Sequence, residues 1–167
     1  MNNLFPQAPQ KKIYLLDTNV LIELSIWLPI SLNNKFWLIM EDSLKKGDWV
    51  LIDTVIDEVR YGFDKGALKR WCQKQNNSGL AKKITAEDRQ RATEINDQYN
   101  MIGQDGNSKN DPYIIAYVER NGLVLFSREN YRKNPLDPYK IRDVCDFLNI
   151  PYERYPAPFL EYIGYKN

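Results

Sequence analysis

Four acids, Asp17, Glu58, Asp111 and Glu129, stand where apolar runs end or helical periodicity begins. In a right-handed parallel α/β sheet such positions gather on one edge, where loops and helix starts leave a crevice. Singly they demand no chemistry. Asp17 and Asp111 could favour helix dipoles, Glu58 could be a surface helix residue, and Glu129 a loop charge. Together they would repel one another at a cost that a bound cation offsets. An all-oxygen set suits hard ions such as Mg²⁺ or Mn²⁺. Such an ion polarises a phosphoryl oxygen and lowers the pKa of a bound water. A pair about 4 Å apart steadies the entering and leaving oxygens of phosphodiester hydrolysis.

The composition narrows the alternatives. The chain has no histidine, which excludes Ser-His-Asp and Cys-His nucleophile systems and most transition-metal sites. Its two cysteines, Cys72 and Cys145, lie far apart among apolar neighbours and read as packing residues. At 167 residues, one domain with a real core is expected. With 43% apolar and 27% charged residues the chain is neither largely disordered nor membrane-spanning. Residues 1–12 carry Pro6 and Pro9 without an apolar signal core, so they read as a flexible tail and the chain as cytoplasmic. The net charge of +1 says nothing about a polyanionic partner. Lys65, Lys69, Arg70, Lys74, Lys82 and Lys83, however, form a run without an acid, which reads first as a solvated helix face.

The elements that must position the acids follow from periodicity and punctuation. A buried strand over about 13–17 leads into a helix from Asn19 to Leu28, stopped by Pro29. A second helix is expected over Ser31 to Lys46, then a strand from Trp49 to Ile52 and a helix from Val55 to about Phe63. Residues 66–84 read as partly helical, broken at 76–79. Thr85 and Asp88 have the spacing of a capping box for a helix to Tyr99. After a polar loop over 103–110, Asp111-Pro112 opens a helix that Gly122 caps. A strand from Leu123 to Phe126, a long loop to Lys140, a helix over about 142–148, an extended piece over 150–155 and a last helix after Pro156 complete the chain. This alternation predicts a mainly parallel sheet covered on both faces.

Four blocks carry a resemblance: Leu15-Leu16-Asp17-Thr18-Asn19-Val20, Val55-Ile56-Asp57-Glu58-Val59, Asn110-Asp111-Pro112-Tyr113 and Leu125-Phe126-Ser127-Arg128-Glu129. Their types and order resemble PIN-domain nucleases over about 13–151. The resemblance implies a single-domain three-layer α/β/α sandwich over 13–167 and a Mg²⁺- or Mn²⁺-dependent endoribonuclease. It makes Asp17, Glu58, Asp111 and Glu129 the metal-binding catalytic acids, with Asp57 an alternative to Glu58. Thr18, Asn19 and Ser127 would support them. Many bacterial members are VapC-like toxins, so a toxin role, an antitoxin partner and a homodimer are further expectations. The last block here has Ser-Arg-Glu where the family more often has Thr-x-Asp, and the 103–110 and 130–140 segments exceed the shortest toxins. For RNA, Arg128, Arg132 and Lys133 offer cations and Tyr131 a stacking ring. Tyr152, Tyr155, Phe159, Tyr162 and Tyr165 read as packing; an exposed patch there would suggest a dimer or antitoxin groove. The rivals are a PIN-like RNA-binding or scaffolding protein without catalysis, and a haloacid-dehalogenase-like phosphatase using Asp17 as nucleophile. Asn19, where the latter usually has a second Asp, counts against it.

Overall fold

The computed structural model describes residues 11–166 apart from 63–65, 105 and 107; most of the expected tail, and Lys65, lie outside the described residues. Four strands, β1 (Tyr14–Leu16), β2 (Trp49–Val50), β3 (Val124–Phe126) and β4 (Tyr152–Glu153), form one sheet in the order β2-β1-β3-β4. All three pairings are parallel. The interior strand β1 is buried along its length, which explains its unbroken apolar run rather than an alternating one.

Eight described helices flank this sheet: α1 (Thr18–Trp27), α2 (Asn34–Lys45), α3 (Asp53–Gly62), α4 (Ala67–Asn77), α5 (Ala86–Tyr99), α6 (Asp111–Asn121), α7 (Ile141–Phe147) and α8 (Pro156–Tyr162). The parallel α/β architecture read from the sequence is thus observed, with local differences. Helix α2 starts at Asn34 rather than Ser31, because the Pro29 carbonyl accepts from the Leu32 and Asn33 amides in a preceding turn. The Trp37 indole then donates to the Leu28 carbonyl at 2.7 Å and fixes the corner between α1 and α2. Strand β2 is shorter than expected. Ile52 instead forms an isolated parallel bridge with Lys82, so the chain after α4 runs extended along this edge.

The helix ends follow their sequence signals. Thr85 and Asp88 make the reciprocal capping box of α5. Gly122 takes the left-handed conformation (φ 62°) that ends α6 and turns the chain into β3, which a residue with a Cβ adopts only with strain. Helices α5 and α6 are clamped by two bidentate pairs. Arg91 holds Glu119 at 2.7 and 2.9 Å, and Arg120 holds Asp88 at 2.6 and 2.9 Å.

Aromatic side chains tie the layers together. Trp71 packs against Trp37 and Trp49 beside the β2 edge, while Phe159 of α8 contacts Tyr14 and Phe126. Tyr162 packs on Tyr14, and Tyr165 on Phe36. The C-terminal aromatics therefore largely pack, with Tyr155 the exposed member. Cys72 and Cys145 are free and buried in the same core. No described helix is long and apolar enough to cross a membrane.

Candidate active site

The register of β1 against β3 builds the first part of the site. Leu16 pairs with Phe126, and the Asp17 amide donates to the Phe126 carbonyl at 2.9 Å. The next residue on each strand, Asp17 and Ser127, therefore meet at the carboxyl edge. There the Ser127 hydroxyl donates to Asp17 Oδ2 at 2.8 Å, in a fully buried contact. Glu129 lies two residues further on, and its amide donates to Ser127 Oγ at 3.3 Å. Helix α1 starts at once after Asp17, yet the Asp17 side chain makes no capping hydrogen bond. The helix-cap role that this carboxylate could have had is not the one it takes.

Glu58 arrives from the second turn of α3. Thr18 Oγ1 donates to its Oε2 at 2.6 Å, joining the start of α1 to α3. Asp57 is exposed and lines a separate hollow with Asp53, Arg89 and Tyr113, so Glu58 is the acid of this pair that faces Asp17. Asp111 comes from the first turn of α6, and its Oδ2 is buried without a hydrogen-bond partner. Asn19 is exposed and makes no hydrogen bond to any of the four acids.

Electrostatics makes these positions unlike ordinary surface acids. Burial pushes the Asp17 carboxyl from 3.8 up to about 7; the Ser127 hydrogen bond opposes the rise, while the charges of Glu129 and Glu58 add to it. Asp111 is pushed well above the usual carboxylate range, first by burial, then by Glu129 and Asp17, against a hydrogen bond from Ser108. Glu129 also moves up, chiefly through burial, with Lys140 and the Ile141 amide opposing. Asp17, Asp111 and Glu129 thus each sense the charge of other acids at this edge, the pattern of like charges gathered where ionisation is costly.

The donors at this edge are all oxygen, the type that suits a hard cation. A buried, unpartnered carboxylate oxygen among three other acids is a group whose negative charge has no protein counter-ion. Among the described residues, no three Asp, Glu or Cys side chains are pre-assembled as a metal cage. Each of the four acids has a local hydrogen-bond partner instead: Asp17 accepts from Ser127, Glu58 from Thr18, Asp111 is bonded with Ser108, and Glu129 Oε2 accepts from the Ile141 amide at 3.3 Å, while Asp111 Oδ2 is left without one.

The residues expected to handle RNA are placed less simply. Arg128 pairs with Glu23 at 2.9 Å, though without a hydrogen bond's alignment, and lies 5.5 Å from the centre of the Trp27 ring. Arg132 donates to the Pro135 and Asp137 carbonyls and lies 3.6 Å over the Tyr139 ring. The Tyr131 hydroxyl donates to Asp146 at 2.7 Å, and Arg142 covers its ring at 4.1 Å. Lys133 is exposed. Lys140, absent from the sequence reading, lines a hollow together with Glu129 and Lys133. Only the folding back of the 130–140 loop brings it there, so no local motif marks it.

Comparison with known proteins accords with this architecture. The chain is similar to a chain of VapBC2 from Rickettsia felis, crystallised with a DNA fragment from their promoter. The TM-score is 0.52 and the identity 19%, covering 86% of this chain and 98% of that one. No curated protein matches by sequence. The model of the family described as Domain of unknown function (DUF4411) matches residues 14–157. With its parallel sheet and the likeness to the VapBC2 chain, the protein belongs to the DUF4411 family and has a PIN-like fold.

Proposed function

We propose that this protein is a divalent-metal-dependent endoribonuclease, with Asp17, Glu58, Asp111 and Glu129 as its catalytic, metal-holding acids. The observation that carries the reading is the buried, unpartnered Oδ2 of Asp111 on an edge where three other acids raise its pKa. Mg²⁺ or Mn²⁺ bound there would supply a Lewis acid for the phosphoryl oxygen and a water of lowered pKa. The residues of the chain do the rest. Ser127 orients Asp17 and Thr18 orients Glu58, each through a short hydroxyl–carboxylate bond. Glu129, fixed through Oε2 by the Ile141 amide, keeps Oε1 to accept a proton from the attacking water. Asp17 and Asp111, whose carboxyls are raised by burial and neighbouring acids, would have to give up their protons to hold such a cation.

In this reading residues 13–167 are one PIN-like domain acting in the cytoplasm. The VapBC2 likeness supports a toxin role with an antitoxin partner; a homodimer is part of the same proposal. The phosphatase alternative finds no support in the position of Asn19, which is exposed. The test is cleavage of structured RNA with Mn²⁺ by wild type, Asp17→Asn and Asp111→Asn. A loss of about 100-fold or more in both variants is expected, on the scale of removing a metal's ligand or charge partner. Equal cleavage by all three proteins would overturn the assignment. Folded wild type that binds RNA without cutting it would favour the RNA-binding alternative.

A further inference from the structure

The geometry points to Lys140 as a phosphate-positioning residue, and to the hollow beside the 130–140 loop as the seat of one unpaired nucleotide of a single-stranded substrate. The identity of that substrate rests on the nuclease reading above. Two hollows flank Lys140. The smaller, about 240 Å³, is lined by Glu129, Lys133 and Lys140 among others, and so opens onto one of the four acids. The larger, about 550 Å³, has Met101, Ile102, Leu136 and Pro138 on its apolar side and Asn100, Gln104, Ser108 and Lys140 as polar groups. Ser108 is also a hydrogen-bond partner of Asp111. Lys140 therefore stands between the acids and a hollow within the roughly 300–1,000 Å³ range of small-ligand sites.

The nearby cations divide by what they already hold. Arg128 is engaged by Glu23 and Trp27, and Arg132 by two carbonyls and the Tyr139 ring. Lys140 makes no ion pair with any described residue, and its charge is felt by Glu129. A lysine in that state attracts a phosphate that the neighbouring acids would otherwise repel. The loop is shaped from within by Arg132, whose own amide donates to Asp143 at 3.1 Å, and that shape leaves Leu136 96% exposed on the wall of the larger hollow. An apolar wall beside a free cation suits a splayed base next to its phosphate, and bases stacked within a duplex cannot enter it.

The test is fluorescence anisotropy of short labelled oligonucleotides, as single-stranded RNA, single-stranded DNA and duplex, on the full chain with Ca²⁺ present to neutralise the acids. Wild type should bind single strands more tightly than duplex, and the RNA and DNA arms tell which sugar is preferred. Lys140→Ala should weaken single-strand binding about tenfold and reduce the salt slope by about 0.7, the value of one phosphate contact. Lys140→Arg should recover most of the loss. Leu136→Ser should weaken single-strand binding about threefold and leave duplex binding alone; Lys35→Ala, remote on α2, should match wild type. Wild-type binding by Lys140→Ala, equal affinity for duplex, or no binding by wild type would each overturn the proposal. Because binding is read without cleavage, the two readings fail separately. A protein that binds as expected but never cuts RNA keeps the subsite and loses the nuclease. One that cuts RNA with unchanged Lys140→Ala binding does the reverse.

Discussion

Two groups of acids lie within this small domain and are treated in opposite ways. At the α5–α6 seam Asp88 is 0% exposed. Burial pushes its carboxyl up, but bidentate Arg120 and the amide and hydroxyl of Thr85 outweigh burial and hold it below its ordinary value. Glu41 on α2 is held down to about 2 by hydrogen bonds from Lys45 and Lys74. At the carboxyl edge of the sheet Asp17 is nearly as buried, 3% exposed, and there burial raises its pKa to about 7: hydrogen bonds from Ser127 and Thr18 oppose the rise without a cation's help, and the charges of Glu129 and Glu58 add to it. Burial alone therefore does not decide what an acid does here; the presence of a cation does. The chain pairs its structural carboxylates with cations and gives Asp17, Glu58, Asp111 and Glu129 no ion pair among the described residues.

The largest effect that could break this contrast is in the pH dependence of stability without metal. The folded-state pKa of Asp17 lies above its unfolded value of 3.8, so the native state binds the extra proton. Stability from this group is full below about 4 and is lost as pH rises to about 7, by roughly 4 kcal/mol at most for Asp17. Glu41 and Asp88 have depressed values, so their contributions are lost only as pH falls below the ordinary carboxylate range, toward about 2 for Glu41. The two groups thus act in separate windows with opposite signs. Urea unfolding in EDTA should find wild type less stable at pH 8 than at pH 5, with part of the difference removed in Asp17→Asn and more in the Asp17→Asn/Asp111→Asn double variant. A flat profile between these pH values would refute the unpaired state of the sheet-edge acids.

A smaller effect tests the paired side. Asp88→Ala removes a capping box and two charge-assisted bonds, and should lower unfolding stability by about 2–3 kcal/mol at neutral pH. Asp17→Asn should instead stabilise the metal-free protein at pH 8. Opposite signs for the loss of two buried aspartates would sharpen the contrast; equal losses would erase it. Smaller again is Thr18→Val, which removes the donor to Glu58. It should cost about 1 kcal/mol of stability and weaken divalent-metal affinity about tenfold, read by calorimetric titration.

What was legible in the sequence were features fixed by local chemistry. The Thr85/Asp88 box, the Asp111-Pro112 helix start and the left-handed Gly122 cap all stand where their types and spacing put them. That Asp17 and the end of β3 share one sheet edge followed from short apolar runs alternating with helices and the handedness of parallel connections, while the Ser127 contact was implied by the family resemblance. What was not legible depends on contacts distant in sequence. The bridge of Ile52 with Lys82 shortens β2 and has no periodic signature. The pairing of Arg128 with Glu23 draws an expected RNA contact onto the protein itself. Lys140 lies beside Glu129 because the next residue, Ile141, donates its amide to that carboxylate across the returning loop.

The most direct test of the central claim, that the sheet-edge acids are left unpaired to receive a cation, is thermal unfolding at pH 8 during titration with Mn²⁺. The account predicts a saturable rise in wild-type Tm, corresponding to about 2.7 kcal/mol when the ion is at 100 times its Kd, and almost no rise in Asp17→Asn or Asp111→Asn. Asp88→Ala, destabilised but with its sheet-edge acids intact, should show the full rise. No response in wild type, or the same response in the Asp17 and Asp111 variants, would contradict it.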